Sequence, residues 1–142
     1  MKINLRYQGK QQFKADARDF KEIVIDEPES FHGDNQGPSP IEYFLIGIGS
    51  CIASSLVFCL NKEKIKFSNF EVVVEGKLKH KGPNLRLKLV KIIIQINFRV
   101  LDDKSKERVE YCMSIFESHC PLSDSIIQSI PIILQINEKK KN

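Results

Sequence analysis

The feature that most constrains the fold is an apolar run of 18 residues, Tyr43 to Leu60, broken only by small residues such as Gly47, Gly49, Ser50, Ser54 and Ser55. A helix start stands directly in front of it. Ser39 can cap, Pro40 suits the first helical position, and Glu42, three residues after Ser39, completes a capping box. The helix is predicted from Pro40 to about Glu63, where Asn61-Lys62-Glu63-Lys64 turn the chain polar. At 1.5 Å per residue it is roughly 35 Å long, the full width of a small domain. Eighteen residues stand at the lower edge of membrane-spanning length. The flanking segments read as strands that need covering, so a buried helix, with no membrane partner, is the expectation.

Before the helix, Lys2–Tyr7, Gln11–Ala15 and Glu22–Asp26 read as short strands, with turns at Gly9 and Asp16–Asp19. Glu27 to Gly37 is a loop broken by Pro28, Gly33, Asp34 and Asn35, long enough to be a functional candidate. After the helix, Phe70–Lys79 and Leu85–Val100 read as long strands joined by Lys81-Gly82-Pro83-Asn84. Val72 and Val74 alternate with charge, and Leu85, Leu87 and Leu89 alternate with Arg86 and Lys88, which predicts one buried face and one wet face. A second helix is predicted from near Ser105 to near His119, carrying Val109, Cys112, Met113 and Phe116 inward. Pro121 restarts a short helix through Gln128, and Ile132–Ile136 closes as a strand. This order predicts an α+β fold over a single domain, residues 1–142, with antiparallel strands wrapped over helices.

A chain of 142 residues buries about two thirds of its unfolded surface and needs no staples. Met1 to Arg6 lacks the apolar core of a signal peptide, so a cytoplasmic protein is the expectation. Its four cysteines, none in C-x-x-C spacing, are therefore expected as thiols. The net charge of +4 is mild, and Lys139-Lys140-Lys141 reads as a solvated tail. Aromatic and basic residues are not interleaved, so no nucleic-acid partner is expected. No glycine-rich phosphate loop or Ser-His-Asp arrangement stands out. His32 and His80 are isolated, and His119, Cys120 and Cys112 do not share one face, so neither metal nor cofactor is expected.

Cys120 precedes Pro121 and so falls at a helix cap, where free N–H groups and the helix dipole lower a thiol's pKa. His119 beside it could add positive charge. Cys51 shares an apolar stripe with Phe44, Gly47, Ile48, Ser55 and Phe58, all within about 60° on an ideal helix. Gly47, one turn below, invites a close-packed partner. By spacing alone Cys51 reads as a small buried hydrophobe. Cys59, about 80° further round the same helix, and Cys112 on the second helix read as core thiols.

Gly37-Pro38-Ser39-Pro40-Ile41-Glu42-Tyr43-Phe44, followed by Gly47-Ile48-Gly49-Ser50-Cys51, resembles the first signature of the OsmC/Ohr family. His119-Cys120-Pro121-Leu122-Ser123 resembles its second. The resemblance implies an intertwined homodimer whose two central helices are enclosed by sheets, with the site near the dimer interface. It implies thiol-dependent reduction of organic hydroperoxides, Cys51 attacking and Cys120 resolving, with an external dithiol as reductant. An apolar substrate pocket would then have Phe44, Ile48 and Phe58 as walls. The peroxidase branches carry glutamate directly after the loop proline, and here that position is Ile41. Glu42 comes one residue late, about 180° from Cys51 on a straight helix. The partner arginine of those branches lies in the N-terminal strands, where Arg6 and Arg18 are available, Arg18 in a turn being the better placed. The Ile41 departure keeps a second reading open: a non-peroxidase member binding a small hydrophobic or thiol-reactive ligand at the dimer interface.

Overall fold

The structure is a computed structural model and describes residues 1–102 and 106–139. It divides into two compact units, Met1–Phe44 and the chain from Leu45 onward.

In the first unit, β1 (Ile3–Gly9), β2 (Gln12–Ala17) and β3 (Phe20–Ile25) form an antiparallel meander in the order β1-β2-β3. Gly9, at φ 120°, makes the first turn as its composition predicts. The loop that follows is organised by Asp26, which is only 1% exposed. Its Oδ2 accepts hydrogen bonds from the backbone N–H groups of Asp34 (3.2 Å) and Gln36 (3.1 Å). Gly33 is required there, because a Cβ on it would lie 1.8 Å from the Glu27 carbonyl oxygen. The loop ends in the predicted capping box: Ser39 N–H donates to Glu42 Oε2 at 2.7 Å, and Glu42 N–H donates to Ser39 Oγ at 3.3 Å.

Helix α1 (Pro40–Lys62) starts at that box and supplies the spine of the second unit. It buries Ile48, Ile52, Leu56, Cys59 and Leu60, a stripe with the helical period. Length and composition alone would let α1 cross a membrane, but this buried stripe is that of a core helix. The sheet below it has the order β4-β5-β6, from β4 (Phe67–Lys81), β5 (Arg86–Val100) and β6 (Ile132–Lys139). Strand β5 sends Ile92, Ile94, Ile96, Phe98 and Val100 into the core at every second position. Two glycines bring α1 close to β4. A Cβ on Gly49 would lie 2.4 Å from Val74 Cγ2, and one on Gly76 would lie 2.9 Å from Leu45 Cδ1.

Helices α2 (Lys106–Ile115) and α3 (Pro121–Ile126), linked by a 3-10 turn at Phe116–His119, carry the chain from β5 to β6. The predicted start of α2 near Ser105, and Lys140-Lys141 of the lysine tail, lie outside the described residues. The structure corrects three expectations. Strand β6 pairs with β5 in parallel, Ile94 opposite Leu134, because the intervening helices form a crossover that returns the chain to the same end of the sheet. Leu85 and Leu87, expected on a buried face, are 68% and 40% exposed. A register shift at Lys77/Leu78 breaks the pairing of β4 with β5, so the alternation read from the hairpin tip does not continue into the core. Cys59 and Cys112 are buried as expected, but they are joined in a disulfide with Cα atoms 5.5 Å apart. One-helix periodicity shows that each faces inward and not that they face each other.

Candidate active site

Cys51 and Cys120, 69 residues apart, meet with their Sγ atoms 2.8 Å apart. That is outside covalent S–S length and closer than two unbonded sulfurs ordinarily stand, so the two thiols are in direct contact. Cys51 is half-buried and Cys120 fully buried.

Each sulfur is placed by its own element. Cys51 rides on α1, two residues past the Gly49 contact with Val74. Cys120 is the N-cap of α3, in extended conformation (φ −92°, ψ 107°), with Pro121 at the first helical position where a missing N–H is of no consequence. The cap group is the sulfur itself, which accepts from Ser123 N–H at 3.4 Å. The Ser123 hydroxyl stands 3.1 Å from the Cys120 carbonyl oxygen and 3.2 Å from that of Glu117.

The two thiols are driven apart electrostatically. Burial, then the hydrogen bond with Cys120, pushes Cys51 above the ordinary thiol value, although Leu122 N–H opposes the shift. Burial would also raise Cys120, but the hydrogen bonds from Cys51, from the N–H and hydroxyl of Ser123, and from Leu122 N–H outweigh it. Cys120 falls below the ordinary value. Of the two, Cys120 is therefore the one that ionises first and Cys51 the one that holds its proton longer. The helix-cap argument made from Pro121 is supported. His119 is exposed, its Nδ1 lies 2.8 Å from the Ile115 carbonyl oxygen, and it is not among the groups that lower Cys120. Leu122 and Ser123 escaped notice as site residues, although the residue three past a cap is where a cap bond is expected.

The other residues named from the sequence are placed as follows. Glu42 is held by Ser39, and those hydrogen bonds keep its carboxyl below the usual carboxylate range. Arg18, at φ 55° between β2 and β3, lies over the Phe20 ring, 5.4 Å from its centroid. Arg6 pairs with Asp16 and Glu22 on the surface. Ile48 is sealed in the core at 1% exposure, Phe58 points outward at 68%, and Phe44 is 38% exposed. Ile48 and Phe58 therefore do not share a wall in this chain. The buried face of α1 is centred on Ile48, Ile52 and Leu56, not on Cys51. A cleft of ≈ 280 Å³ instead runs along α3, lined by Ile52, Ser123, Ile127 and Leu134, with Glu117 and Asp124 among its polar groups. Among the described residues no cluster of three metal-ligating side chains occurs.

A long helix on a three-stranded sheet, with one cysteine on that helix and another at a facing helix cap, defines a class of small α+β proteins carrying a dithiol. The OsmC family model, described as OsmC-like protein, matches residues 33–135, and the chain belongs to that family. No curated protein matches it in sequence. Solved structures share its fold at low identity. A hypothetical protein from Aquifex aeolicus VF5 is 18% identical with a TM-score of 0.77, over 99% of this chain and 97% of that one. An OsmC-like protein from Mycoplasma pneumoniae is 15% identical with a TM-score of 0.76, over 99% and 96%. An organic hydroperoxide resistance protein from Elizabethkingia anophelis is 18% identical with a TM-score of 0.70, over 98% and 97%.

Proposed function

We propose that the protein is a cytoplasmic, homodimeric, single-domain reductase of organic hydroperoxides, using Cys51 and Cys120 and recharged by an external dithiol. The observation that carries this reading is the 2.8 Å approach of the two sulfurs. Cys51 is the attacking thiol because it is the one partly open to solvent, while Cys120 is sealed. As Cys51 Sγ attacks the distal peroxide oxygen, its proton passes to the Cys120 thiolate, and the O–O bond breaks. The alkoxide takes that proton and leaves as the alcohol. The Cys120 thiolate then attacks the Cys51 sulfenic acid, forming the disulfide and releasing hydroxide. The shared proton serves both as the activating and the leaving-group proton. Glu42, held ionised by Ser39, is a poor donor for the second task. Arg18 and Glu42 are the supporting residues, completing the site in the dimer.

The test is thiol counting before and after cumene hydroperoxide, with Cys51→Ser and Cys120→Ser alongside. Wild type should lose both outer thiols, and neither variant should form the Cys51–Cys120 bond. If the wild type loses thiols no faster than the double variant, the peroxidase reading fails. The second reading is a non-peroxidase member binding a small hydrophobic or thiol-reactive ligand. It is favoured by Ile41 in the glutamate's place and by the partly apolar cleft along α3. Ligand-induced thermal stabilisation without peroxide turnover would distinguish it.

A further inference from the structure

Cys59 and Cys112 have no part in that chemistry, yet they join α1 to α2 beside it. The two cysteine pairs are nested. The outer pair is 69 residues apart and the inner 53, and the difference, 16, divides into eight residues from Cys51 to Cys59 and eight from Cys112 to Cys120. Eight residues along α1 is about 12 Å, too far for sulfurs of one pair to exchange directly with the other. The inner bridge can still act on the outer pair through the chain. Effective concentration falls roughly as the −3/2 power of the connecting length. Closing the bridge shortens the path between Cys51 and Cys120 from 69 residues to 16 plus the link. For a fully flexible connection the return of a departed Cys120 to Cys51 would be favoured about eightfold, and the packed strands between the two cysteines hold the gain below that limit.

The bridge is also reachable. A cleft of ≈ 50 Å³ opens at Cys59, bordered by Ser55, Phe58, Lys62, Tyr111 and His119. That is room for a thiol sulfur, given that a water occupies about 30 Å³. Cys112 does not line it and is fully buried, so Cys59 is the member of the bridge nearer an entering thiolate, with Cys112 as the leaving group.

We propose that Cys59–Cys112 is a second redox centre, opened by an external dithiol entering the cleft at Cys59, and that its closure speeds the joining of Cys51 to Cys120. One thiolate of the dithiol attacks Cys59 Sγ and expels the Cys112 thiolate. The second attacks the mixed disulfide and releases Cys59. The dithiol is oxidised to a disulfide by two electrons, and its two protons end on Cys59 and Cys112. The coupling half rests on the reading of Cys51 and Cys120 as the reacting pair, whereas the opening half does not.

The test has two arms, both on the whole protein and without peroxide. In the first, protein purified without reductant is exposed to dithiothreitol in native buffer, and each cysteine is followed by alkylation and peptide mass analysis. Cys59 and Cys112 should start joined and open without denaturant, more slowly in Ser55→Leu, which narrows the cleft. Free thiols at the outset, or opening only in denaturant, would overturn the centre. In the second arm, oxidised glutathione drives the Cys51–Cys120 bond in wild type and in Cys59→Ser/Cys112→Ser, with Cys59→Ala/Cys112→Ala as a second pair should the first not fold. The bond should form more slowly without the bridge, by up to about eightfold. Equal rates would overturn the coupling. If the outer bond forms in no variant, the pair reading falls and takes the coupling with it, while the opening of the bridge is decided by the first arm.

Discussion

Replacing Cys120 separates its two roles, since one sulfur both reacts and caps α3. In Cys120→Ala the Ser123 N–H loses its acceptor, which costs about 1 kcal/mol for a lost helix cap. The sulfur is fully buried, and its removal adds about 1 kcal/mol in lost contact and residual void. A combined loss of about 2 kcal/mol in a chain of this length lowers Tm by about 6 °C. Cys120→Ser behaves differently. Serine is a preferred cap, and its hydroxyl finds both Ser123 N–H and the Cys51 thiol in place, so no buried polar group is stranded. Its stability should stay within about 1 kcal/mol of wild type. Both variants lose the Cys51–Cys120 bond. Thermal unfolding followed by circular dichroism measures the split. Equal Tm values for the two variants, or a serine variant less stable than the alanine one, would refute the cap role of the sulfur.

The thiol pair gives a pH signature: alkylation should show Cys120 titrating below an ordinary thiol and Cys51 above it, and Cys51→Ala should move Cys120 upward because a lowering hydrogen bond is lost. In stability terms, Cys120's depressed pKa contributes above the unfolded thiol pKa and is lost as pH falls through the folded value. Cys51's raised pKa contributes below the unfolded value and is lost as pH rises through the folded one. Asp26→Ala should cost about 2–4 kcal/mol by leaving two loop N–H groups without their carboxylate, with Asp26→Asn losing less, both read by urea unfolding. Gly33→Ala should cost about 1–3 kcal/mol through its clash with the Glu27 carbonyl, measured the same way. At Gly47 an added Cβ meets nothing within 4 Å, so Gly47→Ala should stabilise by about 1 kcal/mol; a loss instead means a second chain covers that face.

Local signals carried most of what was legible in the sequence. Ser39, Pro40 and Glu42 set the start of α1 to the residue, because caps depend on contacts three residues apart. Cys120 ahead of Pro121 was readable as a cap for the same reason. Pairings between distant elements were not readable. The approach of Cys51 to Cys120 rested on family resemblance, and Cys59 and Cys112 each looked like ordinary core residues because burial says nothing about which neighbour is met. The direction of β6 depends on how two short helices return the chain, and no alternation pattern encodes that. Leu85 and Leu87 alternate properly on a hairpin tip that has no core beneath it.

The reciprocal fit of α1 and β4 has a mechanical consequence. Leu45 faces Gly76 and Gly49 faces Val74, so each element offers a notch to the other's peg. Four residues of helix advance about 6 Å and two of strand about 7 Å, which lets both pegs seat at once. A sliding helix would have to lift both pegs together, so α1 is pinned along its axis. Cys51, two residues beyond the second notch, is then the fixed jaw of a clamp. Any opening and shutting during a redox cycle falls to the six-residue helix behind Cys120, which is the moving jaw.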